Sequence, residues 1–314
     1  MSRALTADSR VAGGGINMSA KLCPVEEAHE ARAPETETAF GCPRNFLGNR
    51  FVYVVISARA GGLSVGLNMN PDKFCNFDCI YCEINPDVPS SEPELDVSVM
   101  IAELEKTLLL IRSGGIRQVP GYGALNPDLL RLRHVALSGD GEPTLSRRFA
   151  QTVQEVVHMR ARLLHPFFKL VLITNGTCLD ARPVQTGLQY FTREDEIWIK
   201  LDAGTQAYMD RVNRSAVSLD KVMENALLVG RRHPIVIQSL FPLIAGCEPP
   251  PEEIDQYIQR LHELKDAGAA ISLVQIYSAT RPPAHPDCRH IPLQSLAAIC
   301  RRVKTEVGLK AEVF

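Results

Sequence analysis

The sequence predicts an α/β protein: repeated strand–helix units around a parallel sheet, behind a disordered N-terminal tail. Three observations carry this. Short β-branched runs alternate with amphipathic helical segments along much of the 314-residue chain. Strands separated by helices join in parallel through right-handed crossovers. Several of the runs end in polar or glycine-rich stretches, as in barrels that gather their chemistry at the carboxyl ends of strands.

Residues 1 to about 48 hold Gly13-Gly14-Gly15, scattered Ala, Glu and Pro, and no sustained apolar period. They read as a flexible tail, and residues 49–314 as one domain. Phe51–Ile56 and Leu63–Met69 read as two strands. After an acidic, Pro-rich loop at 83–96, Asp96 is placed to cap a helix over about 97–113. Val97, Met100, Leu104 and Leu108 share one face of it, and Gly114 stops it. Residues 115–132, with Pro120, Gly121, Gly123 and Pro127, read as an irregular insertion. The alternation then becomes regular: strand 134–138, helix 146–164; strand 169–174, a poorly patterned segment 181–193; strand 196–201, helix 218–231; strand 234–240, helix 251–267 stopped by Gly268; strand 271–277, helix 293–307. Counted from Leu63, these make six units, too few for a closed eight-fold barrel.

Apolar residues at 45% and charged residues at 22% describe an ordinary globular chain. A net charge of -2 gives no global attraction to nucleic acid or an anionic membrane. No stretch reaches the roughly 18 unbroken apolar residues of a membrane span, and the N-terminus has no secretory apolar region. Nine cysteines, an odd number, argue for reduced thiols and metal binding in the cytoplasm, not for a disulfide framework.

Three of those cysteines fall in the run Cys75-Asn-Phe-Asp-Cys79-Ile-Tyr-Cys82, spaced four and then three residues apart. Soft sulfur-only donors favour iron–sulfur clusters, zinc or copper(I). A closed zinc site normally adds a second Cys pair or a His pair, and neither is near. Three ligands on one loop would leave one iron of a cluster open to a substrate or cofactor. A zinc site, or three unrelated core thiols, is the plainer alternative. Cys300 shares an apolar stripe with Leu296 and Val303 and reads as core; Cys178 lies near the end of a strand; Cys247 and Cys288 read as loop thiols.

The strand ends supply the other candidates. The strand at 134–138 runs into Ser138-Gly-Asp-Gly-Glu142, whose two glycines let backbone approach a ligand closely, although a Gly-rich turn into a helix accounts for the same residues. Next come Thr174-Asn-Gly-Thr177 and Lys200-Leu-Asp202, and the last two strands add Gln238, Ser239, Gln275 and Tyr277.

The cysteine run, with Tyr81 at its aromatic position, resembles the Cys-x-x-x-Cys-x-aromatic-Cys signature of the radical S-adenosylmethionine (SAM) superfamily. The six units match its partial (β/α)6 TIM-like barrel. The resemblance implies that Cys75, Cys79 and Cys82 ligate three irons of a [4Fe-4S] cluster and that SAM chelates the fourth. Reductive cleavage of SAM would then give a 5′-deoxyadenosyl radical that takes a hydrogen atom from the substrate. It implies that Gly139, Asp140, Gly141 and Glu142, in place of a Gly-Gly-Glu motif, meet the SAM amino group. Asn175, Lys200 and Asp202 would meet its ribose and carboxylate, or the substrate. A low-potential donor of flavodoxin or ferredoxin type would supply the electron. The phrases Ser138–Leu145, Trp198–Ala203 and Arg281-Pro-Pro283 resemble the Fe–S oxidoreductases grouped with the tRNA wyosine-synthesis enzymes. The slightly acidic balance and only two N-terminal cysteines, Cys23 and Cys42, depart from that branch, so a tRNA substrate is not supported by charge. A non-catalytic Fe–S or metal-binding protein is the competing reading from another class.

Overall fold

The computed structural model describes residues 46–90, 92–162, 167–279 and 288–314. Most of the proposed tail, Cys23, Cys42 and the Arg281-Pro-Pro283 phrase lie outside the described residues. Of the last tail positions, Phe46 is buried, its ring edge-on to Tyr122 with centroids 6.1 Å apart.

An eight-stranded sheet forms the body. Strand β1 (Val52–Ser57) pairs antiparallel with β2 (Gly62–Asn68). From β2 the order runs in parallel through β3 (Leu132–Ser138), β4 (Lys169–Thr174), β5 (Glu196–Lys200) and β6 (Ile235–Leu240). After a short β7 (Pro242–Ile244), β8 (Ile271–Tyr277) continues the parallel series. A three-residue β9 (Cys288–His290) pairs with β7 in a separate two-stranded ribbon, and β10 (Ala311–Val313) closes the main order beside β8. The six parallel units expected from the sequence are therefore present. The edge strand β1 was expected at 51–56 but not its antiparallel pairing, and the ribbon and the last strand were not expected. One consequence is that Cys288 is a buried strand residue, not a loop thiol.

Helices fill the connections: α1 (Val97–Arg112), α2 (Phe149–Ala161), α3 (Arg182–Leu188), α4 (Gln206–Val212), α5 (Leu219–Gly230), α6 (Pro251–Asp266) and α7 (Leu293–Arg302), the last running on into a single π turn. Asp96 caps α1 by accepting from the Ser98 and Val99 amides. The segment at 181–193 contains α3, which Pro183 and Gly187 hide from a periodicity reading. Gly187 is needed there because a Cβ would sit 2.7 Å from the Phe149 ring of α2, so the two helices touch at that point.

The strands alternate between two faces. Leu170, Leu172, Ile197, Ile199, Ile235 and Ile237 pack with the helices. Val171, Trp198 and Val236 pack together on the other face, the barrel lumen. At its lower end His134 meets Trp198 edge-on at 5.3 Å and bonds the Ser64 hydroxyl at 2.8 Å. Burial, with Lys169 and Arg59 nearby, lowers the His134 pKa to about 3, so the ring stays neutral and serves packing. Residues 200, 238, 275 and 277 follow upward along the same face of β5, β6 and β8.

Candidate functional site

The cysteine loop leaves the end of β2, and three neighbouring strand ends hold it from below. Its backbone amides at Asp78 and Ile80 donate to the carbonyls of Asn213 and Val212, 3.0 and 2.9 Å away, at the end of α4. On the other side the Glu142 amide donates to the Phe74 carbonyl at 3.0 Å. Asn175 donates from Nδ2 to Asn76 Oδ1 at 2.7 Å, and Asn76 donates to the Thr177 hydroxyl at 2.9 Å. The loop is thus fixed largely through backbone groups and side chains other than its thiols. All three cysteines line one cavity of about 210 Å³, together with the Ser138–Pro143 turn, Thr174, Asn175 and Lys200.

The Gly139–Glu142 turn is close-packed for stated reasons. Gly139 has φ +134°, and a Cβ there would lie 2.3 Å from Asn68 Oδ1. Asn68 and Asp140 bond reciprocally: Nδ2 to Oδ2 at 2.7 Å, and the Asp140 amide to Oδ1 at 3.0 Å. A Cβ on Gly141 would lie 2.1 Å from the Phe74 carbonyl oxygen, in the backbone of the cysteine loop itself. Gly141→Ala is therefore expected to push that loop off its seat, costing about 1–3 kcal/mol as overpacking does and lowering iron and sulfide bound per chain. A variant that matches the wild type in both melting temperature and iron content would refute the seating argument.

Glu142 is buried and well partnered inside the protein. One oxygen accepts from the Thr144 amide at 3.0 Å and from the Thr144 and Thr174 hydroxyls, each at 2.5 Å; the other accepts from the Asn175 amide at 2.7 Å. Burial raises its pKa, and these bonds oppose the rise only in part. Asp202 is equally engaged. It accepts from the Tyr81 hydroxyl, from Asn213 Nδ2 at 2.9 Å and from the Leu240 amide at 2.9 Å. Both carboxylates position neighbouring strand ends and the cysteine loop.

Burial pushes the Cys79 thiol up to about 11, partly offset by the Lys200 ammonium, so uptake of a metal there would release a proton. Asn213 was not singled out by its sequence context. Its Nδ2 lies 3.4 Å from Cys79 Sγ, 3.2 Å from the Tyr81 hydroxyl and 2.9 Å from Asp202, joining one thiol to the lumen. A lone Asn after a seven-residue helix offers no pattern by which to find it.

Lys200 is held between two phenols, donating to Tyr81 at 3.1 Å and Tyr277 at 3.3 Å. Burial pulls its pKa down, but Tyr277, Asp202 and Cys79 outweigh it and hold the pKa above the ordinary lysine value. Cys178 is half-buried beyond β4, and Cys300 is buried on α7 as its apolar stripe indicated. Among the described residues no three His, Cys, Asp or Glu side chains converge as a single-ion site requires. A cluster takes its cysteines on separate irons and does not need that convergence. Among the described residues no helix is long and apolar enough to cross a membrane.

No protein-family model matches the chain. Among curated proteins it is similar to a UPF0026 protein of Helicobacter pylori, 23% identical over 239 residues, which are 74% of this chain and 68% of that protein. It is also similar to a GTPase Obg of Brachyspira hyodysenteriae, 25% identical over 237 residues, but spans only 29% of that protein's length. Among solved structures, a radical SAM methyltransferase from Sphaerobacter thermophilus superposes over 84% of this chain and 68% of its own, with TM-score 0.55 and 14% identity. Streptococcus suis SuiB bound to S-adenosylmethionine covers 78% of this chain at TM-score 0.54 and 12% identity, and the chain spans about half (49%) of SuiB. TYW1 with a lysine–pyruvate adduct bound covers 81% of this chain and 83% of its own at TM-score 0.51 and 13% identity. The fold is thus a partial barrel shared with these solved structures, a radical SAM methyltransferase among them.

Proposed function

We propose that the chain is a radical SAM enzyme in which Cys75, Cys79 and Cys82 hold a [4Fe-4S] cluster. One observation carries the reading: all three thiols face a single cavity at the carboxyl end of a parallel barrel, against the glycine turn and the ends of β4 and β5. The donor set fits the cluster, being three soft thiols with no fourth cysteine or histidine among the described residues lining their cavity. When bound, cluster and SAM supply a carbon radical that abstracts hydrogen from a substrate.

The chain's own groups do the rest. Gly139 and Gly141 leave backbone room beside the thiols, where a SAM amino group would be received by the turn that Asp140 and Glu142 brace. Asn175 and Asp202, already holding the cysteine loop, are the side chains proposed to present their strand ends to SAM. Tyr81 closes the loop onto the lumen through Asp202, and Lys200 supplies a fixed positive charge below it. The apolar lumen floor of Val171, Trp198 and Val236 excludes water, which a radical intermediate requires. A flavodoxin- or ferredoxin-type donor and a reducing, cytoplasmic setting complete the proposal.

The test is anaerobic: reconstitute with iron and sulfide, reduce, add SAM and look for 5′-deoxyadenosine. Its formation is the expected result. A fully loaded cluster that yields none, and whose EPR signal does not change on adding SAM, would favour an Fe–S carrier instead. The narrower wyosine-type reading, suggested by the phrases Ser138–Leu145 and Trp198–Ala203, requires salt-dependent tRNA binding, which the net charge of -2 does not favour.

A further inference from the structure

The barrel lumen carries positive charge that its own carboxylates do not neutralise by contact. Lys200 has three N–H groups, of which two reach the Tyr81 and Tyr277 hydroxyls. Arg59, in the turn between β1 and β2, lays its guanidinium carbon 4.4 Å from the centroid of the Tyr277 ring. Among the described residues neither cation forms an ion pair, and the Arg59 guanidinium makes no hydrogen bond. The two buried carboxylates near the mouth are committed elsewhere, Glu142 to Thr144, Thr174 and Asn175, and Asp202 to Tyr81, Asn213 and Leu240.

A third group is also short of a partner. Gln238 stands beside Lys200 in the β5–β6 register and is 1% exposed. Its Nε2 donates to Gln275 Oε1 at 2.8 Å, while its Oε1 is buried with no hydrogen bond. Leaving a buried acceptor unmade is costly, and Lys200 and Arg59, both half-buried, meet no carboxylate by contact. Orphans of both kinds on adjoining strands of one lumen are the complement of a ligand.

We infer that the substrate of the proposed enzyme is a small molecule bearing an anionic group, carboxylate or phosphate, held between Lys200 and Arg59 across the face of Tyr277, with a donor group meeting Gln238 Oε1. This rests on the radical SAM reading of the same barrel and adds the substrate class. Arg59 and Gln238 sit outside every motif that carries the resemblance. The turn of Arg59 is the only described segment that brings a guanidinium over Tyr277.

The experiment uses cluster-loaded, oxidised protein with SAM present, so that SAM's own carboxylate site is filled. Trifluoroacetate, fluorophosphate and uncharged trifluoroacetamide are each titrated by ¹⁹F NMR. Saturable broadening of at least one anion is expected, and none of the amide; which anion responds separates a carboxylic acid from a phosphate ester. Arg59→Gln should weaken that anion about tenfold or more, the loss of a charge-assisted contact, and Arg59→Lys should restore part of it. Equal binding of anions and amide, or an unchanged affinity in Arg59→Gln, would overturn the inference. If Arg59→Gln does not fold, Lys200→Met takes its place with the same expectation. Iron content of the same samples, and the EPR change when SAM is added to SAM-free, reduced portions of the same preparations, test the parent reading separately. If they hold while anion binding fails, only the lumen assignment is lost; if they fail while anion binding holds, the lumen remains an anion site of another enzyme.

Discussion

Replacing Cys75, Cys79 or Cys82 singly by alanine is expected to reduce bound iron and sulfide to background while the barrel still folds. Each thiol is proposed to carry one iron, and two protein ligands do not retain a cluster against chelation or air. The fold has little to lose. Cys75 is exposed and Cys82 half-buried, and the loop keeps its backbone bonds to Asn213, Val212 and Glu142 when a sulfur is removed. Cys79 is the one buried member and also receives Asn213 Nδ2, so Cys79→Ser, which keeps the size and an acceptor, serves as its control for folding. Cys178→Ala and Cys300→Ala should load normally. The measurement is iron and acid-labile sulfide per chain after anaerobic reconstitution, beside a thermal melt of the metal-free protein. A cluster of normal yield in any of the three variants would remove the central claim.

The elements visible in the sequence were those with one dominant physical signal. Parallel strands buried on both faces must be apolar throughout, and Leu170–Ile173 and Ile235–Ile237 are. Asp96 and Gly114 bound α1 by cap chemistry that depends on nothing distant. A turn as short as residues 58–61 joins only antiparallel strands, so the direction of β1 was implicit in the spacing of the two runs. The three-residue strands β7, β9 and β10 owe their existence to their partners. The site divides in the same way. The thiols share one loop and the glycine turn is local, so both were legible. Choice of partner is tertiary: Glu142 and Asp202 announce carboxylates, but only the fold shows them bound to Thr174, Asn175, Tyr81 and Asn213. Arg59 sits in a turn at the sheet edge, and nothing in Ala58-Arg59-Ala60 says that its guanidinium reaches a tyrosine 218 positions further on.

The largest loss of stability is expected at Asp195, a residue remote from the cavity that sets where two of its walls stand. Asp195 takes both guanidinium nitrogens of Arg160, at 2.6 and 3.0 Å, with side-chain exposures of 0% and 8% for the Asp and the Arg. It also accepts from the Leu170 amide at 2.8 Å and the Thr192 amide at 2.7 Å, and so locks the start of β4 to the approach to β5. The far ends of those strands carry Thr174-Asn175 and Lys200-Asp202. Asp195→Ala leaves the Arg160 cation buried with only the Phe168 carbonyl and orphans two amides; breaking a buried pair from one side costs about 3–5 kcal/mol, a large part of a typical stability of about 5–15 kcal/mol. Burial pushes the Asp195 carboxyl up, but Arg160 and the two amides outweigh it and hold the pKa below the ordinary aspartate value. A lowered folded pKa means that the group's contribution is complete above the unfolded value of about 3.9. It is lost as pH falls through the lower folded value. Acid unfolding of the wild type should therefore include one proton taken up by Asp195, and the stability gap between wild type and Asp195→Asn should narrow as pH falls through that window. Urea midpoints for the two proteins at neutral and acid pH decide it: a gap under about 1 kcal/mol at neutral pH, the range of an exposed pair, would show that β4 and β5 are registered by something other than this ion pair.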